Sequence, residues 1–401
     1  MSAATTLTKR HLSLLCACSM LWVGVALPFF PVWLSARGLD AAGIALVFAA
    51  QQLARPIGSP IITMIADWRR DIPGTLAWLS ACVVVLYALL GSVRGFLGIV
   101  AVAGLVALIQ GPVMALVDAL TLGEIRRREA AKELSLDYGF VRAWGSIAVL
   151  GGMLLGGPIT ALVADQDIIW LIFACCVPPA LVTLSTVRIP EFSRKPMATM
   201  SRSFGPIRQP FLLFLIIAGA ALVQSSHSVL YAFASLHWRQ TGFSVGFIGT
   251  LWAFGVGVEI LFFVYAGRFF GGARSAMSYL CFGALGAIVR WCAFALSPGE
   301  IGTIVLMGMH GLSFAATHLG AVYLVGDMVG SARRAQAQGW LQAAVAVTSA
   351  AATLMAGQVY DSLGQTTYLG MAALAGLGLC FIMAAIALRA RSPKSIMPQS
   401  S

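Results

Sequence analysis

Apolar runs of about 20 residues or more recur from one end of the chain to the other, separated by short polar clusters. A run of this length crosses roughly 30 Å of hydrocarbon as a helix. Only 10% of the residues are charged, against roughly 25% in soluble domains. We therefore predict an all-α integral membrane fold with twelve spanning helices. The predicted spans are 11–36, 41–66, 73–93, 96–121, 138–163, 168–188, 210–236, 244–266, 276–296, 300–325, 338–360 and 366–388.

Basic residues in the polar segments indicate the orientation of the chain. With the first residue inside, twenty lysines and arginines fall on inner segments, and only Arg37, Arg94 and Arg239 fall on outer loops. Because positive charge accumulates in cytoplasmic loops, both termini are predicted in the cytoplasm and the protein in the inner (plasma) membrane. The net charge of +11 is spread over these loops and is not gathered on one face. No nucleic-acid partner is therefore expected.

The longest polar interruption contains three prolines and five basic residues and divides six predicted spans from six. Apolar runs in the two halves begin 200 positions apart, from His11 and from Phe211. This repetition is typical of transporters whose substrate site lies between two pseudo-symmetric halves. The predicted parts are an N-terminal six-helix bundle at 1–187, a cytoplasmic linker at 188–209, a C-terminal six-helix bundle at 210–390 and a cytoplasmic tail at 391–401.

Five charged residues lie well inside the predicted spans, and a charge at a helix centre costs about 2.5–3.5 kcal/mol. Five unpaired charges would cost on the order of 15 kcal/mol, so these side chains must face partners or water. For Arg55, the deepest arginine, we predict an intramembrane ion pair. The acid of the fourth span and the arginine of the fifth either pair across adjacent helices or reach the cytoplasmic surface. The five residues are Arg55, Asp118, Arg142, Glu259 and Arg290.

Polar and aromatic side chains recur on the same helical faces, at steps of three, four and seven residues. A cavity lined by such faces offers cations, aromatic walls and hydrogen-bond donors together. A single intramembrane histidine has the alternative role of hydrogen-bonding one helix to another. The faces are Gln110, Met114 and Asp118; Gln224, His227 and Tyr231; Trp252, Gly255 and Glu259; and His310, Phe314 and His318.

Enzyme and sensor functions fit the sequence poorly. The polar loops are short and contain no metal-ligand cluster, nucleophile elbow or paired acids. All eight cysteines fall inside predicted spans, so no disulfide framework, metal ion or cofactor is expected. A sensor would also need a soluble output module. The expected partners are a small-molecule substrate, protons and the lipid bilayer, and the chain is expected to act as a monomer.

Several stretches of the chain carry a family resemblance. They are "PFFPVWLSARGL" (28–39), "PVMALVDAL" (112–120), "LDYGFVRAWGS" (136–146), the long stretch at 227–263, "VRW" (289–291) and "MHGLSFAATHLGAV" (309–322). In these stretches the chain resembles the major facilitator superfamily in its lactose-permease-like branch, and it is most similar to the 3-phenylpropionate permease family. The resemblance extends over nearly the whole chain.

The resemblance implies a substrate and proton site. In lactose permease an acid on the fourth helix and an arginine on the fifth bind substrate. An acid on the eighth helix, an arginine on the ninth and a histidine on the tenth join binding to proton coupling. The similar positions in this chain are Asp118, Arg142, Glu259, Arg290 and His318.

The chain differs from lactose permease in three features that bear on the predicted substrate and proton site. Val149 stands where the sugar permease has a tryptophan that stacks on sugar, which argues against a sugar. The carboxylate one turn after the tenth-helix histidine is missing. The signature loop after the second helix is partly retained as Asp67, Arg69 and Arg70, which are predicted to act in gating.

We predict a proton-coupled symporter that imports a small aromatic carboxylate such as 3-phenylpropionate by alternating access. The alternative is a symporter of a neutral nucleoside or oligosaccharide. The preferred partner of the carboxylate is Arg142, followed by Arg290, because a guanidinium offers a planar fork of donors. The predicted proton carrier is Glu259, with His318 and Asp118 as further candidates, because burial makes a carboxylate easier to protonate. Further predicted substrate contacts are Asp118, Trp252, Tyr231, His227, Phe314 and Gln110.

Overall fold

The computed structural model describes residues 3–133, 136–189, 209–269, 273–329 and 333–391. Over these residues the chain is helical and contains no strand. Nearly all of the predicted linker and tail lies outside the described residues. The helices are α1 (Ala3–Ala36), α2 (Ala41–Arg69), α3 (Ile72–Ser92), α4 (Phe96–Gln110), α5 (Val113–Ala130), α6 (Tyr138–Thr160), α7 (Ile168–Val187), α8 (Pro210–Ser225), α9 (Ser228–Gln240), α10 (Val245–Phe269), α11 (Ala273–Phe294), α12 (Glu300–Gly308), α13 (Ala316–Met328), α14 (Arg334–Leu363) and α15 (Thr367–Arg391).

Each predicted span coincides with one helix or with consecutive helical pieces, which confirms the all-α membrane fold. Ten segments of the described chain are long and apolar enough to cross a membrane. The last of them, Gln336–Ala390, contains both α14 and α15. The remaining predicted span is α2, which is 29 residues long and carries Arg55 near its middle. The ten segments and α2 therefore account for all twelve predicted spans.

The fourth and seventh predicted spans are each interrupted near the middle. In the fourth, Pro112 separates α4 from α5, because proline has no N–H to donate to the carbonyl of Leu108. In the seventh, α8 ends at Ser225 and α9 begins at Ser228, with His227 between them. Helical periodicity alone does not predict these interruptions, which lie near the middle of the two spans.

The tenth predicted span is interrupted by a π-helix. Regular helix ends at Gly308, a π-helix occupies Gly311–Ala315, and α13 then continues the span. A π-turn opens the hydrogen-bond ladder and is found frequently at functional sites. Here it begins directly after His310 and contains Ser313, two side chains that meet a buried arginine described below.

One compact unit comprises Met1–Met200, Leu230–Phe254 and Thr353–Ser362. Within this first unit α1 packs along α6 and α7, and α2 packs along α4. Glycines bring α1 and α6 into backbone contact, since a Cβ added to Gly152 would lie 3.0 Å from the Cα of Gly24. Without a hydrophobic driving force between helices in lipid, such close approach is what holds neighbouring spans together.

Glycines also bring α10 against α6 within the first unit. A Cβ added to Gly249 would lie 2.5 Å from the carbonyl oxygen of Met153 and 3.3 Å from the Cα of Gly157. A salt bridge of 2.6 Å joins Arg239 at the end of α9 to Asp165 just before α7. The end of α10 nearest Val245 therefore lies directly on the α6 backbone.

The second unit comprises Ser201–Val229, Gly255–Ala352 and Leu363–Ser401. Within it α15 packs along α8 and α11, and α13 packs along α11. Close approaches again involve small residues: a Cβ on Gly320 of α13 would lie 2.6 Å from the carbonyl oxygen of Ala276 on α11. This packing surrounds α11 with polar pieces of α8, α10 and the interrupted tenth span.

Candidate functional site

Arg290 on α11 lies at the centre of a polar cluster in the second unit, and none of its surface is exposed. Its Nε donates to the carbonyl of Leu306 at 2.7 Å, and its Nη1 donates to Ser313 Oγ at 3.1 Å. The guanidinium also lies 4.8 Å from the ring of Trp291 and 5.6 Å from that of Phe294. Because a buried cation is costly unless it is hydrogen-bonded, these contacts stabilise the charge.

The contact between Arg290 and His310 determines the tautomer of the histidine. Arg290 Nη1 lies 3.0 Å from His310 Nδ1. A guanidinium can only donate, so Nδ1 accepts and the neutral ring carries its proton on Nε2. That nitrogen lies 3.3 Å from Glu259 Oε2 and donates to it. Assigned in this way, the hydrogen bonds run in one direction, from Arg290 through His310 to Glu259.

A second branch of the cluster runs from Arg290 through Ser313 to His227. Ser313 Oγ accepts from Arg290, so its hydroxyl proton can donate to His227 Nε2 at 3.1 Å. The other ring nitrogen of His227 lies 3.2 Å from the carbonyl of Gln224, to which it donates. His227 is wholly buried. Both of its nitrogens are therefore engaged by protein groups, and its predicted contact with substrate requires another conformation.

His310, Phe314 and His318 form a stacked ladder, which confirms that they share one face. The first two rings lie 5.2 Å apart at 6°, and the second and third lie 6.1 Å apart at 5°. His318 lies within electrostatic reach of Glu259. Glu259 of α10 is thus bracketed by the two histidines at the ends of the ladder.

Glu259 is the member of this cluster that can gain a proton without breaking the hydrogen bonds described. A proton added to His310 Nδ1 would face the N–H of Arg290, whereas a protonated Glu259 keeps an oxygen that accepts from His310. The side chain of Glu259 is 19% exposed and that of His310 is 4% exposed. The geometry therefore allows proton exchange at Glu259 while Arg290 and His310 stay in place.

In the first unit Asp118 on α5 and Arg142 on α6 lie within electrostatic reach of each other. Tyr138 lies beside the Asp118 carboxylate, and the Cys16 thiol of α1 lies beside Arg142. Asp118 and Arg142 are half-buried. The two side chains are within electrostatic reach of each other, but no salt bridge joins them in the described chain, so both alternatives drawn from the sequence stay predictions.

Gly145 makes room for the Arg142 guanidinium one turn along α6. A Cβ added to Gly145 would lie 2.8 Å from Arg142 Nη1, 3.0 Å from Cys16 Sγ and 3.2 Å from Met20 Cγ. The guanidinium is therefore packed between its own helix backbone and α1. Its position depends on the absence of a side chain at this glycine.

Arg55 on α2 is exposed, and the predicted ion pair is not formed, since no carboxylate of the described chain lies within salt-bridge distance of it. Its electrostatic neighbour is Tyr87 of α3. The Tyr87 hydroxyl donates to Gln110 Oε1 at 3.5 Å, where α4 ends.

The aromatic residues predicted as substrate walls are packed against protein. Trp252 is 1% exposed, stacks on Tyr231 at 5.9 Å and donates to Ser235 Oγ at 2.9 Å. Trp252 and Tyr231 belong to the first unit, whereas Glu259 belongs to the second. The face predicted for Trp252 and Glu259 is thus divided between the two units.

The predicted gating residues lie at the end of α2. Arg70 has a φ of 54° and caps the helix, its N–H donating to the carbonyl of Asp67 at 3.2 Å. Asp67, Arg69 and Arg70 are exposed. Across the described part of the chain no group of three or more metal-ligating side chains is assembled, and the eight cysteines are free.

Sequence reasoning missed His310, Ser313 and Tyr138 as site residues. The sequence places His310 on the polar face of the tenth span, but of the two histidines only His318 is among the predicted proton-coupling candidates, which are led by Glu259. The available signal was the polar density of 309–314, which is unusual inside an apolar span. Periodicity places both histidines on one face, and only the structure shows that His310 Nε2 lies 3.3 Å from Glu259 Oε2.

A protein family and a relative from Escherichia coli both match most of the chain. The family described as "MFS_1 like family" matches residues 20–369. The chain is 30% identical over 366 residues to the "Probable 3-phenylpropionic acid transporter" of Escherichia coli (strain K12), covering 88% of this chain and 91% of that protein.

Solved structures share the fold at low sequence identity. The crystal structure of the nucleoside transporter NupG matches with a TM-score of 0.79 and 17% identity, covering 96% of this chain and 99% of that one. An inward-facing and occupied bacterial homolog of the human lysosomal transporter Spinster matches with a TM-score of 0.72 and 14% identity, covering 98% of this chain and 100% of that one. At these identities the likeness establishes the fold alone.

Proposed function

The chain belongs to the MFS_1 like family of the major facilitator superfamily, and from that premise we propose that it is a proton-coupled symporter importing a small aromatic carboxylate such as 3-phenylpropionate. Members of this family are transporters and not enzymes. The observation that carries the proton coupling is Glu259 at the end of the donor chain from Arg290 through His310. The name of the relative that is 30% identical supports the substrate class.

In the proposed cycle Arg290 acts as a fixed positive charge. Its N–H holds His310 neutral and oriented, so the proton arriving at the cluster is accepted by Glu259. The stacked Phe314 and His318 keep the His310 ring in plane. Glu259 then carries the proton across the membrane and releases it on the cytoplasmic side. His318, within electrostatic reach of the same carboxylate, is the second proton-coupling candidate.

The carboxylate of the substrate is proposed to bind Arg142. A guanidinium has five N–H donors in a planar fork, so it can hold a substrate carboxylate while it stays close to Asp118. Tyr138 lies beside Asp118, and Cys16 lies beside Arg142. Asp118 offsets the charge of the empty guanidinium. Arg290 is not part of the proposed contact, because its donors are used inside the second unit.

Replacing Gly145 by Ala is expected to raise the KM for substrate by about three- to tenfold while the protein still folds. The added methyl would lie 2.8 Å from Arg142 Nη1, which ends a flexible side chain and moves away. Initial uptake rates over a range of substrate concentrations measure the change. Gly151→Ala is the matched control on α6, because a Cβ there meets nothing within 4 Å. Equal KM values for the two variants would show that the position of Arg142 does not matter.

We further propose that transport proceeds by alternating access of two bundles, 1–187 and 210–390. The contact of Gly249 with Met153 and Gly157 supports a closed arrangement of α10 on α6 within the first unit. Such a contact must open and re-form in every cycle, because substrate has to enter from that side. Glycines suit it, since they let helix backbones meet and separate without interlocking side chains.

Gly249→Leu is expected to reduce uptake at least about tenfold while substrate still binds. A Cβ at this position already lies 2.5 Å from the Met153 carbonyl oxygen, so a leucine prevents α10 from returning to α6. Uptake into vesicles and equilibrium binding to purified protein separate the two effects. Gly246→Leu is the control, because a Cβ at Gly246 meets nothing within 4 Å. Unchanged uptake in the Gly249 variant would contradict the proposed cycle.

The proposed function is tested directly with purified protein in lipid vesicles. An inward pH gradient should drive accumulation of labelled 3-phenylpropionate, about tenfold for each pH unit, since one unit supplies about 1.4 kcal/mol. One proton moving with one carboxylate anion transfers no net charge, so a membrane potential alone should have no effect. Inhibition by nucleosides or oligosaccharides, with none by aromatic acids, would favour the alternative substrate class instead.

The same proposal includes the membrane location, the oligomeric state and the partners of the protein. The bias of basic residues towards inner segments supports an inner (plasma) membrane location with both termini in the cytoplasm. The linker 188–209 would join the two bundles, and a monomer would contain every residue of the proposed mechanism. Protons, the small-molecule substrate and the lipid bilayer are the partners.

A further inference from the structure

A cavity lies inside the first unit, among α1, α3, α7 and the junction of α4 with α5. Ten residues of these helices line it. The wall contains the indole of Trp22, the thioethers of Met20 and Met114, and the side chains of Val83 and Cys176. Thioether and aromatic groups make favourable contacts with the edges and faces of an aromatic ring.

The cavity also has polar groups, one of which has no hydrogen-bond partner. Ser19, Ser80 and Gln110 line it. The hydroxyl of Ser19 is buried, the residue is 4% exposed, and its Oγ has no partner among the described residues. A buried hydroxyl without a partner is costly. A ligand that brings a hydroxyl of its own into the cavity would remove this cost.

Two methionines connect the cavity to the proposed carboxylate site. Met20 lines the cavity, and its Cγ also lies at Gly145, beside Arg142 Nη1 and Cys16 Sγ. Met114 lines the cavity one helical turn before Asp118 on α5. Met20 and Met114 therefore place the cavity next to the residues of the proposed carboxylate site.

We propose that this cavity receives the aromatic ring of the transported carboxylate, and that Ser19 hydrogen-bonds a hydroxyl group on that ring. The inference rests on the proposed function and narrows its substrate class to hydroxylated arylalkanoates. The site differs from the aromatic walls predicted from the sequence, because Trp252 and Tyr231 stack on each other and Phe314 stacks between two histidines. In this proposal the cavity of the first unit selects substrates by the size of their aromatic ring, and none of its residues belongs to the proton-coupling cluster.

The proposed position of the substrate's aromatic ring is tested by a substitution that fills the cavity. Val83 lines it and is 5% exposed, whereas Val85 on the same helix is 66% exposed and points elsewhere. In vesicles, Val83→Phe should raise the inhibition constant of 3-phenylpropionate by about tenfold or more, since even one extra methylene in a pocket has effects of this size. The constant for ring-free butanoate should stay unchanged. Val85→Phe should leave both constants unchanged.

A second substitution keeps the test decisive if Val83→Phe does not fold. Val83→Ala enlarges the cavity and should shift selectivity from phenyl towards naphthyl carboxylates. If wild-type protein transports aromatic carboxylates but the two Val83 variants keep its selectivity, the ring lies elsewhere and the inference is wrong. If wild-type protein transports no aromatic carboxylate, the proposed function itself fails. The two failures are thus distinguished by the wild-type measurement alone.

The hydroxyl contact is tested with two serines of α1. Ser13 and Ser19 are both buried, and neither Oγ has a partner in the described structure, but only Ser19 lines the cavity. Wild-type protein should bind a hydroxyphenylpropionate more tightly than 3-phenylpropionate, and Ser19→Ala should reduce that preference about fivefold. Ser13→Ala should leave the preference unchanged. No preference in wild-type protein, or equal effects of the two variants, would overturn the contact.

Discussion

The Glu259→Gln protein is expected to lose accumulation of substrate against a gradient while it keeps exchange of labelled for unlabelled substrate. Glutamine has the same shape as glutamic acid, and its amide oxygen can accept from His310 Nε2, which now lies 3.3 Å from Glu259 Oε2. The donor chain from Arg290 therefore keeps its geometry. The amide cannot gain or lose a proton, so the tenfold accumulation expected for each pH unit should disappear.

Two measurements on the same vesicles test this expectation. Uphill uptake under an imposed pH gradient reports coupling, and counterflow with equal pH on both sides reports binding and conformational exchange. Glu300→Gln is the control, because Glu300 is an exposed acid at the start of α12 in the same unit. Loss of counterflow together with uphill uptake would show that Glu259 acts in binding or folding and does not carry the proton.

Arg142→Lys is expected to raise the KM for aromatic carboxylates by about ten- to a hundredfold, since hydrogen bonds to charged groups contribute about 1.5–3 kcal/mol. Lysine keeps the positive charge beside Asp118 but loses the planar fork that binds a carboxylate through two N–H groups. Membrane insertion should be unaffected, because the half-buried position still holds one cation within electrostatic reach of one acid. The KM is measured from initial uptake rates.

The matched control for this prediction is Arg94→Lys, at an exposed arginine of the described chain. It should leave uptake unchanged. If Arg142→Lys also leaves the KM unchanged, then Arg142 serves only as the partner of Asp118, and the substrate carboxylate binds elsewhere. A reduced amount of protein in the membrane with normal KM would have the same meaning, because it would assign Arg142 to packing.

The cost of intramembrane charge was the most productive signal in the sequence. It singled out Glu259 and Arg290, which the structure joins through His310, and Asp118 and Arg142, which lie within electrostatic reach of each other. For Arg55 the same reasoning predicted an ion pair that the structure does not form. The argument identifies a charge that needs compensation, but it does not identify the group that compensates it.

Helical periodicity was reliable along one span and unreliable between spans. It placed His310, Phe314 and His318 on one face, and their rings stack. It also grouped Trp252 with Glu259, which belong to different compact units although they lie on one helix. A helix of this length crosses from one packing environment to another, so residues on one of its faces need not share neighbours.

The sequence by itself determined the fold class, the number of spans and the set of ionisable side chains that must avoid lipid. These follow from transfer free energies and chain length, which are properties of each segment taken alone. Only the tertiary structure decided that His310 and not His318 donates to Glu259, that Gly145 seats Arg142, and that a cavity lies beside Met20. Those contacts depend on the tilt and spacing of helices distant in sequence, which glycine contacts and helix interruptions set together.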